Sequence, residues 1–320
     1  MKNCRLLIIG KKPLPIGGVT RHVQRLTEWL NDIGYNYEFY DLEKFNIISM
    51  MKAIRLTKYA HLHCSSPMLQ YMFAILCRAY DTRSIITYHC NLGEDGRIKK
   101  QLRFASVKLA CYPITLNQKS YEIGLKYNNN TLLQSAYLPD CHVKNDIKEE
   151  TARQIKTIKL NYKIVCSTNA FNWLLDNNGQ EIYCISQLMT FFDNHKQWAL
   201  LISDPSGNCR KHFVSIPANI LFISYPHNFI NILQESDCFL RYTLSDGDSL
   251  SIHEAMDKNV PVIATDVVPR PKGTTVVPIN DMVSLENAIS NVSMLKAVSR
   301  KIINTNYSIP DIISFYENLV

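Results

Sequence analysis

The sequence predicts an α/β protein made of two parallel-sheet domains, and three observations lead there. Apolar runs of strand length alternate with amphipathic helical stretches through both halves of the chain. Such alternation implies parallel sheets covered by helices on both faces. A length of 320 residues suits two domains of ordinary size, and the polar segment 139–151, with Lys144, Asn145, Asp146, Lys148, Glu149 and Glu150, offers a linker between them. The domains are therefore expected at 1–145 and 152–308, followed by a helix over 309–320.

In the first half, strands are expected at 5–10, 35–41, 59–64, 84–89, 111–116 and 131–138, and helices at 19–33, 68–80 and 97–110. In the second half, strands are expected at 163–167, 198–203, 219–224, 238–242, 260–265 and 275–278. Helices there fit 181–192, 229–235, 250–258 and 283–303. Ligands of sheets built this way bind beyond the C-terminal ends of the strands.

Composition narrows the class. A 46% hydrophobic chain can bury ample cores and is not disordered. No window reaches the roughly 18–20 apolar residues needed to cross a bilayer. The run Leu6-Leu7-Ile8-Ile9 is too short for a signal-peptide core and ends at Gly10, as a first strand does. Ten cysteines with no Cys-x-x-Cys pair read as buried thiols in a reducing compartment, which implies a cytoplasmic protein. The net charge of +7 is uneven: residues 1–150 hold 21 Lys and Arg against 13 Asp and Glu, whereas 151–320 hold 14 against 15. A basic first half suggests an anionic partner, either nucleic acid or a membrane surface. The stretch 97–108 alternates Arg97, Lys99, Lys100, Arg103 and Lys108 with apolar residues, as a helix lying on an anionic bilayer would. An ordinary solvated helix reads the same way. No RNA-binding motif or interleaved aromatic pattern supports nucleic acid.

Three stretches could carry chemistry. In the second half, a strand runs into Asp246-Gly247-Asp248-Ser249-Leu250-Ser251-Ile252-His253-Glu254-Ala255-Met256, followed by Val260-Pro261-Val262-Ile263-Ala264-Thr265-Asp266. This reads as strand, tight turn and a helix starting near Asp248 or Ser249, either a good N-cap. Free N–H groups at such a start can hold an anion or a hydroxyl-rich ligand. The plain alternative is a strand–turn–helix unit with a capping Asp and a solvated Glu. In the first half, Gly17 and Gly18 open an amphipathic helix, where backbone can approach a negative ligand. The third stretch is Thr87-Tyr88-His89 at the end of a strand, while His61 and His63 read as core residues. Zinc on His61, His63 and Cys64 is not expected, since no second ligand pair follows.

The 246–266 stretch resembles the nucleotide-sugar site of the family-4 retaining glycosyltransferases, which have a GT-B fold: two Rossmann-like domains with parallel sheets facing across a cleft. The family pattern is an acid, a glycine turn and a second acid eight positions on, then Ala-Met and a Pro-Val-Ile-Ala-Thr-Asp strand. Asp246 stands where the family usually has Glu, and Glu254 matches the second acid. The Gly17-Gly18 loop resembles the family's approach to the donor diphosphate, and Thr87-x-His89 resembles its sugar-contacting histidine. The resemblance implies a hexosyltransferase that moves a sugar, with retention, from a nucleotide-diphosphate donor to a glycan or lipid-linked acceptor, without a metal or other cofactor. It assigns catalytic positions to His89 and Asp246, and donor binding to Gly17, Gly18, Asp248, Ser249, Leu250 and Glu254. The family's Arg and Lys before a glycine are absent from the loop 167–179, which holds no basic residue. Arg241, Arg270 and Lys272 are the cations left to face the leaving diphosphate. Family habit and the basic first half together suggest bacterial surface-polysaccharide assembly, such as O-antigen, at the inner face of the plasma membrane. A non-catalytic GT-B partner subunit and a nucleotide-sugar 2-epimerase remain open, while the glycine spacing argues against a nicotinamide enzyme.

Overall fold

The computed structural model describes residues 4–13, 17–140, 142–247, 249–294 and 311–319. The chain divides into two compact units. Unit 1 comprises Met1–Cys141 with Ser308–Val320, and unit 2 comprises His142–Tyr307.

Unit 1 is built from β1 (Cys4–Gly10), α1 (Gly18–Asp32), β2 (Tyr37–Asp41), α2 (Ile47–Leu56), β3 (Thr57–His63), α3 (Pro67–Ala79), β4 (Arg83–Tyr88), α4 (Arg97–Leu109), β5 (Tyr112–Thr115), α5 (Gln118–Leu125) and β6 (Leu132–Leu133). Its six strands are all parallel, in the order β2-β1-β3-β4-β5-β6. Both faces are covered, and the alternation along β1 shows how. Leu7 and Ile9 join Phe73, Ala74 and Val107 on one side, while Leu6 and Ile8 join Leu26 and Leu30 on the other. Gly10 ends β1 where α1 comes closest. A Cβ there would stand 2.9 Å from Val23 Cγ2, so only glycine lets the helix seat at that depth.

Unit 2 repeats the plan with α6 (Glu149–Asn161), β7 (Ile164–Asn169), α7 (Ile185–Asn194), β8 (Trp198–Ser203), β9 (Ile220–Ile223), α8 (Phe229–Gln234), β10 (Cys238–Arg241), α9 (Leu250–Asp257), β11 (Val262–Thr265), β12 (Thr275–Val277) and α10 (Met282–Ser290). Its strands are parallel in the order β12-β11-β10-β7-β8-β9. One core lies against α7 and α10 and the other against α6, α8 and α9. The last described helix, α11 (Asp311–Glu317), returns to unit 1. There Ile312, Ile313 and Tyr316 enter the core beside Leu6 and Ile8, and Tyr316 Oη bonds His61 Nδ1.

Several elements differ from the sequence expectation for identifiable reasons. The strand expected over 131–138 pairs only at Leu132–Leu133. Beyond it the backbone carbonyls are taken by α1 side chains instead of a ladder: Ala136 O bonds His22, Leu138 O accepts from Arg25, and Pro139 O accepts from Trp29. The helix expected from 181 begins at Ile185, because the Glu181 carboxylate turns back to accept from Ile185 N and Ser186 N. Of the helix expected over 283–303, the part beyond 294 lies outside the described residues.

Candidate functional site

In each unit the sheet order reverses beside the first strand, which opens a crevice at the strand C-termini where α/β sheets bind ligands. Each unit places a distinctive set of side chains there.

In unit 2 the reversal falls between β7 and β10. Arg241, at the end of β10, donates from Nε and Nη2 to the two Asp246 carboxylate oxygens at 2.9 and 2.7 Å, a bidentate pair. Arg270 adds a third bond, from Nη1 to Asp246 Oδ2 at 2.6 Å, and its Nε donates to Thr265 O at 2.8 Å. The Asp246 and Arg270 side chains are only 4% and 2% exposed. Two buried guanidiniums against one carboxylate leave the group with one net positive charge. Burial alone would push the Asp246 carboxyl up, but the Arg241 and Arg270 guanidiniums outweigh it and hold the carboxyl at about 2. Arg241 is held above its ordinary value, since its pairing with Asp246 overcomes the burial that would lower it.

Arg241 also lies over the Tyr183 ring, 5.3 Å from its centroid, and donates to Asn169 Oδ1 at 3.3 Å from the end of β7. Ser251 Oγ donates to the same Asn169 oxygen at 3.2 Å and stands 3.2 Å from Ser249 Oγ. This contact ties the start of α9 to the arginine. Ser249 is the N-cap of α9 but makes no side-chain capping bond, so the first-turn N–H groups are not closed by it. Leu250 opens the helix, half-buried, and Glu254 follows one turn on at 7% exposure. Gly247 has open space where a Cβ would sit. Lys272 is exposed, and Asp248 lies outside the described residues.

In unit 1 the reversal falls between β1 and β3. Gly17 is the N-cap of α1 in an extended conformation, again with open space at its Cβ position, and its N–H is taken by Thr20 Oγ1 at 3.0 Å. Gly18 is the first residue of α1. Facing this helix start is a group of four histidines. His61 and His63 lie two apart on β3, on one face, with ring centroids 4.0 Å apart. His22 of α1 stands 5.0 Å from His63 and 5.3 Å from His89, centroid to centroid. His63 Nδ1 lies 3.2 Å from His89 Nε2. Burial, reinforced by the neighbouring imidazoles, drives His61, His63 and His89 well below the ordinary histidine value, so all three are neutral near pH 7.

Of the residues singled out in the sequence, Asp246, Arg241 and Arg270 are brought into direct contact, with Ser249 linked to them through Ser251 and Asn169. Asp246 has both oxygens engaged by guanidiniums. Sequence reasoning missed Asn169, because the 167–179 loop was searched for cations and not for an amide that could organise one. It also missed His22, whose position four residues after Gly18 puts it on the α1 face turned toward the strand ends. In the basic stretch of α4, Arg103 is not at the surface: it is 3% exposed, pairs with Asp95 at 2.5 Å and donates to Gln70 at 2.8 Å. Arg97, Lys99 and Lys108 remain exposed, with Ile98 at 75% exposure between them.

Anabaena Alr3699/HepE in complex with UDP superposes with a TM-score of 0.70 over 98% of both chains at 10% identity. Sucrose-phosphate synthase from Thermosynechococcus elongatus gives 0.67 over 94% of both chains at 14% identity. The apo form of the lipopolysaccharide outer core galactosyltransferase WaaB gives 0.63 over 98% of both chains at 10% identity. The fold is GT-B. No family model matches the sequence, and no curated protein matches it. At these identities the GT-B likeness concerns the arrangement of the chain, and the chemistry has to be argued from the residues. No helix among the described residues of this GT-B protein is long and apolar enough to cross a membrane.

Proposed function

We propose that the chain is a nucleotide-sugar-dependent glycosyltransferase whose unit 2 holds the donor. The supporting observation is the buried, net-cationic Arg241–Asp246–Arg270 group at the sheet reversal, beside an α9 start that lacks a side-chain cap. A nucleoside diphosphate is the ligand such a place favours, since fixed positive charge and free N–H groups meet phosphate oxygens there. The GT-B neighbours add to this reading: the HepE structures hold UDP, UDP with glucose, or UDP-glucose.

In this reading Glu254 accepts hydrogen bonds from the ribose hydroxyls. The N–H groups of Asp248, Ser249 and Leu250 meet sugar or phosphate oxygens. Asp246 works by aiming Arg241 and Arg270, while Lys272 can add charge from the surface. Gly17, Gly18 and His89 of unit 1 are assigned to phosphate and hydroxyl contacts. The bond from the anomeric carbon to the leaving phosphate oxygen breaks as the acceptor oxygen bonds to the same face of the ring. The acceptor proton passes to the leaving phosphate, so configuration is retained without a covalent enzyme intermediate. The arginines supply the charge compensation at the diphosphate, and transfer there needs no metal. We further propose a hexosyl donor and a glycan or lipid-linked acceptor in bacterial surface-polysaccharide assembly. The exposed Arg97, Lys99, Lys108 and Ile98 of α4 suit an anionic membrane surface. A non-catalytic partner subunit is the second reading, favoured by the full engagement of Asp246 with the two arginines.

A thermal-shift series with UDP-, GDP- and dTDP-sugars tests donor binding, because a bound ligand raises Tm by mass action. Glu254→Ala should weaken the stabilising sugar nucleotide roughly ten- to a hundredfold, the loss of charge-assisted hydrogen bonds. Equal affinity in the variant removes the assigned role of Glu254. Binding without nucleotide release in the presence of polysaccharide acceptors favours the partner-subunit reading.

A further inference from the structure

We infer that His22, His63 and His89 form a binding site for a borderline divalent transition metal, with zinc(II) the best fit. One ring nitrogen from each residue lies within 4.8 Å of the other two. The three come from separate elements, the first turns of α1, the end of β3 and the residue after β4, all fixed to one rigid sheet. The contact between His63 Nδ1 and His89 Nε2 is already 3.2 Å. Two nitrogens that share a tetrahedral zinc, with bonds of about 2.0–2.1 Å, stand about 3.3 Å apart. Small side-chain rotations therefore close the trio on an ion.

The surrounding bonds prepare the rings for that role. His22 Nδ1 lies 2.6 Å from Ala136 O, and a carbonyl only accepts, so Nδ1 carries the proton and Nε2 presents its lone pair. A backbone carbonyl that fixes the tautomer in this manner is the usual outer partner of a zinc-bound histidine. His63 is 1% exposed, and its Nε2 has no hydrogen-bond partner among the described residues. With nothing bonded to Nε2, the ring is free to keep its proton there and to turn the Nδ1 lone pair, the one that faces His89, toward the ion. His61, by contrast, is fully occupied: Nδ1 is bonded to Tyr316 Oη and Nε2 to Thr87 Oγ1 at 2.8 Å. It supports the trio by packing against the His63 ring and does not ligate. A set of three imidazoles with no carboxylate excludes magnesium and calcium and suits zinc, cobalt, nickel or copper. His89 is half-buried, so the fourth position is reachable from solvent and open to water or a ligand oxygen.

All three ligands belong to unit 1, and His89 alone also has a part in the proposed transfer. If His89 does contact a sugar hydroxyl, metal and sugar exclude one another, and zinc acts as an inhibitor.

The full chain, stripped with a chelator, is titrated with cobalt(II) and followed by visible absorption, and its zinc content is measured after equilibration with zinc(II). One metal per chain is expected, with the intense visible bands of a four-coordinate cobalt site and no thiolate charge-transfer band in the near-ultraviolet. His89→Gln and His22→Gln, each checked for an unchanged far-ultraviolet spectrum, should both weaken the metal at least tenfold. His89 is less buried than His22, so its variant keeps the test valid if the His22 variant fails to fold. No cobalt bands, bands with thiolate character from the chain's ten cysteines, or unchanged affinity in a folded His89 variant would each overturn the site. None of these readings depends on transferase activity.

Discussion

At the level of single residues, Asp246 makes the clearest demand. Among the described residues its carboxylate is the one negative charge paired with the two guanidiniums, so removing that charge leaves both uncompensated. Asp246→Asn should cost about 3–5 kcal/mol of unit 2 stability by chemical unfolding, the range for a broken buried ion pair. The same change should tighten inorganic diphosphate about tenfold, because the freed guanidiniums gain a partner. A variant that is less stable and yet binds no better shows that the arginines do not face a ligand. The pH dependence has a definite sign. The folded carboxyl sits at about 2 against an ordinary value of 3.8, so the group's contribution is complete above about pH 4. It is lost as pH falls toward 2. That contribution is about 2 kcal/mol for a side chain only 4% exposed. Urea unfolding at pH 5 and pH 3 should show about half of it lost, and Asp246→Asn should flatten the difference. The sequence showed Asp246 as an acid in a turn and both arginines as loose candidates. It could not show that the three neutralise one another, because Arg270 lies 24 positions away and meets Asp246 only once β11 pairs with β10.

Elements were easier to read where both sheet faces are buried and harder where one helix face is thin. The central strands announce themselves as continuous apolar runs, Leu6 to Ile9 or Trp198 to Ile202. Helix α6 was hidden because its inward face is only Thr151, Ile155 and Ile158, and its first residues, 149–151, fall in the stretch read as linker. Helix α2 was obscured by exposed apolar residues such as Ile48, which blur the amphipathic period. Helix α5 is short and contains Gly124, whose missing Cβ makes room for Thr131 Cγ2 at 2.7 Å. The same close-approach logic gives a test in unit 1. Gly10→Ala drives a methyl against Val23, which should cost about 1–3 kcal/mol by thermal or urea unfolding. Val23→Ala added to it should recover part of that loss, since the two positions share one contact. Simple additivity of the two changes would show that the helix shifts to accommodate the methyl.

For the whole molecule, each unit has its own two-sided core, and unit 1 draws on both ends of the described chain. Tyr316 is fully buried and joins α11 to β3 through His61, while Tyr35 Oη donates to Tyr316 O at 3.0 Å. Tyr316→Ala should cost about 3–5 kcal/mol, and Tyr316→Phe only about 1–2, the hydrogen bond without the ring. Hydrogen exchange read by mass spectrometry should show faster opening in unit 1 peptides alone. Equal loosening of both units would show that they do not open separately.

This threading also sets an order of events during synthesis. Every residue of unit 2 is made before α11 exists, so unit 2 can reach its native state on the growing chain while the core of unit 1 beside Leu6, Ile8 and His61 still lacks Ile312, Ile313 and Tyr316. Nascent unit 1 must therefore wait, with apolar surface open to chaperones, until the segment that seals it has been translated.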